Sequence, residues 1–163
     1  MNAPLATAPR PYRIGLIADT HGLLRPEALA ALAGSDFILH AGDIGQPELL
    51  DALRELAPLA VVRGNNDDAP WAADIPERVT LTLAGVGIHM LHILPELDLA
   101  SLDSQVRVVV SGHSHKPLIE ERSGVLYVNP GSAGPRRFRL PISVGRLSLD
   151  AGQVQAEILE LTP

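Results

Sequence analysis

Short apolar runs alternate with polar, glycine-rich breaks along most of this chain, and each run in the first half ends on a residue able to do chemistry. Arg13–Asp19 (RIGLIAD) is apolar until it meets a carboxylate, the pattern of a buried strand. Pro26 suits the first turn of a helix over Glu27–Ala33, and Gly34 suits its stop. Asp36–Ala41 (DFILHA) reads as a second strand, followed by Gly42-Asp43. Pro47 opens a second helix, Glu48–Leu56, with Leu49, Leu50, Leu53 and Leu56 on one face. Leu59–Arg63 is a third strand, followed by Gly64-Asn65-Asn66-Asp67. Strands separated by helices in this way predict a parallel sheet with right-handed crossovers.

The second half changes period. Beyond the loop Asp68–Pro76, Arg78–Leu83 alternates residue by residue and pairs across Gly85 with Val86–Leu91 as a hairpin. A short helix is expected over Leu97–Ser104, ahead of a strand at Val106–Ser111 that runs into Gly112-His113-Ser114-His115. Strands at Leu118–Arg122, Val125–Asn129, Ile142–Leu149 and Val154–Leu161 complete the pattern. With no internal repeat or linker, the expectation is one α/β domain with two sheets over 13–163, behind a flexible tail, 1–12.

Composition narrows the chemistry. The 163 residues contain no cysteine, which excludes disulfide scaffolds, thiolate nucleophiles, iron–sulfur clusters and Cys-based zinc sites. Any metal must therefore be held by imidazoles and oxygens. Aromatic residues are 3% of the chain, so the core is aliphatic. Thirteen basic against nineteen acidic residues leave a net charge of −6, which argues against broad nucleic-acid binding. Small phosphorylated substrates stay compatible, because bound divalent cations reverse the local sign. The first residues lack the apolar core of a signal peptide, and no run of eighteen apolar residues occurs. A soluble cytoplasmic protein without a membrane partner is expected. Twelve arginines beside a single lysine, Lys116, read as coding bias.

The informative feature is what stands at the strand ends. Asp19 and His21 follow the first strand, Asp43 the second and Asn65 the third. His92 closes the hairpin, and His113 and His115 follow the sixth strand. In parallel α/β sheets the carboxyl ends of the strands line one edge, where ligands bind. Singly, each piece is a common turn or cap. Two imidazoles in i, i+2 spacing after a glycine are more specific, and the ordered set of strand ends points to a metal centre.

These residues resemble a known family. Asp19-x-His21, Gly42-Asp43, Gly64-Asn65-x-Asp67, His92 and Gly112-His-x-His115 occur in the order of the calcineurin-like metallophosphoesterases. The likeness is closer to the small YfcE-type phosphodiesterases, which share the Asn129-Pro130-Gly131-Ser132 segment, and it spans Ile14 to Ile142. It implies a four-layer α-β-β-α sandwich with a two-metal site at the carboxyl ends of the strands. By the same resemblance Asp19, His21 and His115 would hold the first metal, Asn65, His92 and His113 the second, and Asp43 would bridge them. A carboxylate has two oxygens for two cations, whereas an imidazole offers one lone pair per metal. Thiolate-free N/O donors suit Mn above all, with Fe, Zn, Co or Ni as alternatives, better than Ca. Two such ions can generate a bridging hydroxide and clamp an in-line displacement at phosphorus. The implied activity is a phosphodiesterase acting on a small or activated phosphoester, with Asp43, Asn65, Asn66 and Asp67 nearest the chemistry.

Two departures from the family pattern matter. Many relatives carry His as the third residue of Gly-Asn-x-Asp, where this chain has Asn66. An amide hydrogen-bonds a phosphoryl oxygen but is no general acid near neutral pH, so diesters and activated leaving groups are favoured over monoesters. Asp67 then lacks the His it would orient. The second departure, Ile93 in place of a frequent Gly, leaves His89 as a competitor of His92; they face opposite sides of a strand, and His92 is preferred for its place at the strand end.

Other residues carry two readings each. His40 suits a core or supporting histidine better than a ligand, and Asn129–Ser132 is either a plain turn or a buttress of the site. Asn65, Asn66 and Arg136 are candidate substrate contacts, Arg136 within a basic cluster with Arg137 and Arg139. Trp71 either stacks on a base or packs on the surface. The competing functions are a non-catalytic scaffold of the same fold that binds protein partners, as a retromer subunit does, and a phosphomonoesterase or dinucleoside polyphosphate hydrolase. Full occupancy of the seven ligand positions favours the enzyme over the scaffold. An exposed edge strand or the apolar hairpin offers surface for a homo-oligomer.

Overall fold

The computed structural model describes residues 10–163. Its first half follows the predicted alternation: β1 (Tyr12–Ile17), α1 (Pro26–Leu32), β2 (Phe37–His40), α2 (Pro47–Arg54) and β3 (Leu59–Val61). Next come the hairpin β4 (Arg78–Leu83) and β5 (Val86–Leu91), then β6 (Val106–Val110), β7 (Leu118–Arg122), β8 (Val125–Asn129), β9 (Ser143–Asp150) and β10 (Gln153–Glu160). They form two five-stranded sheets, ordered β10-β9-β1-β2-β3 and β4-β5-β6-β8-β7. In each sheet three strands run parallel: β1, β2 and β3 in one, β5, β6 and β8 in the other.

Strand parity builds the layers. Ile14, Leu16 and Ala18 face the second sheet and meet Ile88, Met90, Val108, Val110 and Val128 in the core between the sheets. Ile17 and Ile38 face the other way, onto Ala28 and Leu32 of α1 and Leu49, Leu50 and Leu53 of α2. Each such buried aliphatic side chain contributes roughly 1.5–3 kcal/mol. Both helices begin with Pro in the first turn, where its missing N–H costs nothing.

The outer face of the second sheet departs from expectation. Leu97–Ser104 forms no α-helix. Two 3-10 turns, Leu94–Glu96 and Leu99–Ser101, lie there instead, and Leu94, Leu97 and Leu102 cover Leu91, Val109 and Tyr127. The Asp98 carboxylate accepts from the Ala100 N–H at 3.1 Å and starts a fresh turn, while Asp103 takes the Gln105 N–H at 2.8 Å. These local bonds compete with a continuous helix. The sandwich thus carries α-helices on one outer face and 3-10 turns on the other. A third such turn, Pro70–Ala72, lies in the loop after β3, and its Trp71 packs against the helix-side core instead of facing the candidate site.

Residues 1–9 of the expected tail lie outside the described residues. Arg10 grips Asp36 with two bonds of 2.6 and 2.9 Å, and β1 begins at Tyr12. No helix among the described residues is long and apolar enough to cross a membrane.

Candidate metal centre

The six parallel strands deliver their carboxyl ends to one edge of the sandwich, and the chain leaves each strand there in a tight loop. Two groups of side chains result. Asp19, His21 and His115 form one, Asp43, His92 and His113 the other, with the candidate ligand atoms of each group within 4.8 Å of one another. Asp43 Oδ2 lies between them, 3.7 Å from His21 Nε2 and 3.2 Å from His92 Nε2. His92 Nε2 is 3.8 Å and His115 Nε2 3.6 Å from Asp19 Oδ1. Asn65 completes the second group, its Oδ1 3.1 Å from His113 Nδ1. All seven strand-end residues therefore meet at one place. His89 does not: it bonds Thr80 Oγ1 at 2.7 Å on the opposite face of the hairpin, whereas His92 continues the inward-facing set of Ile88 and Met90.

The backbone is bent sharply to achieve this. Asp19, His21, Asp43, His113 and His115 all have positive φ, between 46° and 70°. Each left-handed residue costs about 1 kcal/mol or more, although Asp and His tolerate the region better than most. Interlocked loops hold these conformations. Asp19 N–H bonds Gly42 O at 3.0 Å, and His21 N–H bonds Asp43 O at 2.9 Å. Gly64 allows the Asp43 loop to pass, since a Cβ there would overlap the Asp43 carboxylate.

Supporting residues fix the ligands' orientation. His92 Nδ1–H donates to Ala41 O at 2.7 Å, which leaves Nε2 facing the carboxylates with its lone pair. His40 is fully buried, and burial pushes its pKa down to about 3, so the ring is neutral. Its Nδ1 accepts from Gly42 N–H at 3.0 Å, so its Nε2–H donates to Thr20 Oγ1 at 3.0 Å, and that hydroxyl donates to Ile44 O at 2.8 Å. The Asp67 carboxylate is taken up by the N–H groups of Ile44, Gly45 and Gly64 at 2.9–3.2 Å, stapling the β2 and β3 loops together. Asn66 holds Asp43 twice, through N–H to Oδ1 at 2.9 Å and Nδ2 to Oδ2 at 3.0 Å.

Asn129–Ser132 buttresses the same loops. Asn129 Nδ2 donates to Gly112 O at 3.0 Å, and Ser132 Oγ donates to Asp19 O at 3.0 Å. Arg136 turns back on its own loop, Nε to Leu140 O at 3.3 Å. Its neighbour Arg137 is close enough for its charge to act on Asp19 and His115. The Thr20–His40 link escaped sequence reasoning, since nothing in DTHG distinguishes Thr20 from an ordinary loop residue. Arg137, by contrast, belongs to the basic cluster read from the sequence, in which Arg136 is the named contact.

Electrostatics make the centre a demanding place without a cation. Burial, aided by Asp43, pushes the Asp19 carboxyl up to about 7 against the pull of His92. Burial also pushes His115 down to about 4, helped by Arg137 and His21. At Asp43 burial acts upward, but the facing His92, the hydrogen bonds from Asn66 and the nearby His21 outweigh it and hold the carboxyl well below its usual range. His92 is likewise raised despite burial, because the negative carboxylates of Asp43 and Asp19 face it. Four buried atoms here have no hydrogen-bond partner: Asp19 Oδ1, His21 Nε2, His92 Nε2 and His115 Nδ1. Leaving buried polar atoms unmatched costs about 1–3 kcal/mol each. A divalent cation among these N and O donors satisfies them, so the residues present fit a metal pair.

The chain belongs to the calcineurin-like phosphoesterase superfamily, whose domain matches residues 12–152, and it is a phosphoric ester hydrolase. A probable metallophosphoesterase of Methanothermobacter thermautotrophicus is 34% identical over 158 residues, covering 90% of this chain and 91% of that protein. The phosphodiesterase YfcE of Escherichia coli is 29% identical, covering 85% of this chain and 89% of its own length. Among solved structures, Vps29 of Chaetomium thermophilum superposes with a TM-score of 0.73 at 22% identity, covering 93% of this chain and all of that one, a likeness of fold.

Proposed function

We propose that this protein is a divalent-metal-dependent phosphodiesterase acting on a small or activated phosphoester. The observation that carries the reading is the set of four unpartnered buried ligand atoms around Asp43, which a pair of cations accounts for and a hydrolase without metals does not. Asp19, His21 and His115 would hold one cation, Asn65, His92 and His113 the other, and Asp43, which lies between the two groups, would be shared by both. When bound, the metals supply Lewis acidity and lower the pKa of water toward neutrality.

The protein's own residues position that chemistry. Asn66 steadies Asp43, and Asp67 holds the two loops in register as a positioning residue. Asn66 offers no proton to a leaving group, so alkoxide leaving groups go unassisted and aryl or otherwise activated diesters are preferred. A competent side chain at each of the seven ligand positions favours the enzyme over a protein-binding scaffold of this fold. The deciding experiment is metal analysis of the purified protein together with Mn²⁺-dependent hydrolysis of an aryl phosphodiester. Two metals per chain with turnover supports the reading, and a fully metallated protein inert toward every diester overturns it.

A further inference from the structure

Nine non-glycine residues among those described have positive φ. Five belong to the metal centre, and Ala84, Ser123 and Ala151 each precede a glycine at a hairpin tip. The ninth is Phe138, with φ 54°. A bulky residue in this region is an outlier, and such strain persists where the surroundings impose it. Phe138 gains no burial in return, being 87% exposed. Its turn is closed by Leu140 N–H to Arg137 O at 3.1 Å and Arg136 Nε to Leu140 O at 3.3 Å. The loop therefore holds an aromatic ring out in water at a conformational cost.

Its location gives that ring a use. The loop is rooted at Gly134, whose Cα packs so closely on the main chain of Asp19 and Thr20 that no Cβ fits. Arg137, Phe138, Arg139 and Leu140 line an open groove with Ser114 and Lys116, and these last two flank the candidate ligand His115. Lys116 is the single lysine of the chain and makes no ion pair among the described residues. The groove volume, about 790 Å³, suits a small molecule. A flat apolar ring beside unpaired cations, next to residues that hold metals, matches an ester with one aromatic arm and one anionic phosphate.

We propose that Phe138 is a specificity-determining residue that stacks on a planar aromatic arm of the substrate, a nucleobase or aryl group, while Arg137 and Lys116 take the phosphate charge. This assignment rests on the phosphodiesterase reading above and names its substrate class. Phenylphosphonate and methylphosphonate, neither of which can be hydrolysed, test it by calorimetric titration of the Mn²⁺-loaded protein. Phenylphosphonate is expected to bind about tenfold more tightly, the scale of one aromatic stacking contact. Phe138→Ala should bring the ratio near one, and Phe138→Tyr should keep it. Arg137→Ala should weaken both ligands alike.

An unchanged ratio in Phe138→Ala overturns the proposal, as does equal binding of the two phosphonates by the unsubstituted protein. Phe138 lies outside the core, so its melting temperature should not move, and a shift would be seen in the same sample. If no diester is hydrolysed yet the ratio collapses in Phe138→Ala, the activity reading falls and the ring contact stands. If diesters are hydrolysed and the ratio does not respond, only the ring contact falls.

Discussion

The two ends of the sandwich use the same unfavourable backbone conformation for opposite purposes. At the end where β5 and β8 begin and β9 finishes, Ala84-Gly85, Ser123-Gly124 and Ala151-Gly152 each have two successive residues at positive φ. Such turns match the right-handed twist of the flanking strands, so the strain there serves the hairpin. At the carboxyl end Asp19, His21, Asp43, His113 and His115 take up similar φ values with no hairpin to serve. Hydrogen bonds between loops, and glycines such as Gly64 whose missing Cβ lets those loops touch, impose the conformation. One end bends the chain to fold. The other bends it to aim donors at a common point, and leaves four of their buried atoms without a hydrogen-bond partner.

The contrast can be broken most forcefully at Asp43. Asp43→Asn removes a charge and one bridging oxygen, and should lower Mn²⁺-dependent diester hydrolysis by more than about 100-fold, since even partners behind metal ligands cost 10–100-fold. Metal content per chain should fall with it, whereas no substitution at the hairpin end should affect either quantity. Next in size is Asn66→His, which restores a proton donor beside Asp43. Hydrolysis of alkyl diesters should rise by about 10–100-fold, within the usual range for general-acid help, with little change for aryl diesters. An equal response of both ester types would detach Asn66 from leaving-group chemistry.

The pH dependence of stability sharpens the comparison further. His40 has a folded pKa of about 3 against 6.5 unfolded, so its contribution is complete above pH 6.5 and is lost as pH falls toward 3. The slope is at most about 1.4 kcal/mol per pH unit. Asp19 acts in the opposite sense: raised to about 7, it stabilises the metal-free protein at low pH and loses that effect as pH rises from 3.8 through 7. Comparing metal-free wild type with His40→Asn cancels the Asp19 part. The variant should show the shallower loss of melting temperature on acidification, and parallel curves would remove His40 from the account.

The smallest effects are expected from the strained positions themselves. His113→Gly should leave the metal-free protein as stable or about 0.5–1 kcal/mol more so, because relief of the left-handed residue exceeds the entropy cost of glycine. The stabilisation by Mn²⁺ should shrink at the same time. Ala84→Asn should add roughly 0.5 kcal/mol, with metal binding untouched, since Asn-Gly is a preferred pair for this turn. Chemical denaturation with and without Mn²⁺ separates the two cases. Equal metal responses would erase the distinction between the ends.

Much of the site was legible because its residues stand immediately after apolar strands, and strand ends in parallel sheets share an edge. That logic reached Asp19, His21, Asp43, Asn65, His92, His113 and His115 without any contact being known. It failed at Leu97–Ser104, where the apolar spacing resembled a helix but Asp98 and Asp103 bond their own neighbours and break it into turns. It placed His40 as a supporting histidine and Asp67 near the site but could not name their partners or find Thr20, because most of those partners lie 20 or more residues away. Of its two readings for Trp71 the packed one holds, and it gave no sign of Phe138, which the folded chain puts at the groove.

The chain by itself determined the alternation of strands and helices, the absence of thiolate chemistry and the seven candidate donors at the strand ends. These follow from local pattern and residue type, which do not depend on distant contacts. The tertiary structure decided which donor atoms are left unmatched, which histidine is neutral and which loop faces the groove. Those properties arise from burial and from bonds between segments far apart in sequence, and a protonation state or an exposed ring has no local signature.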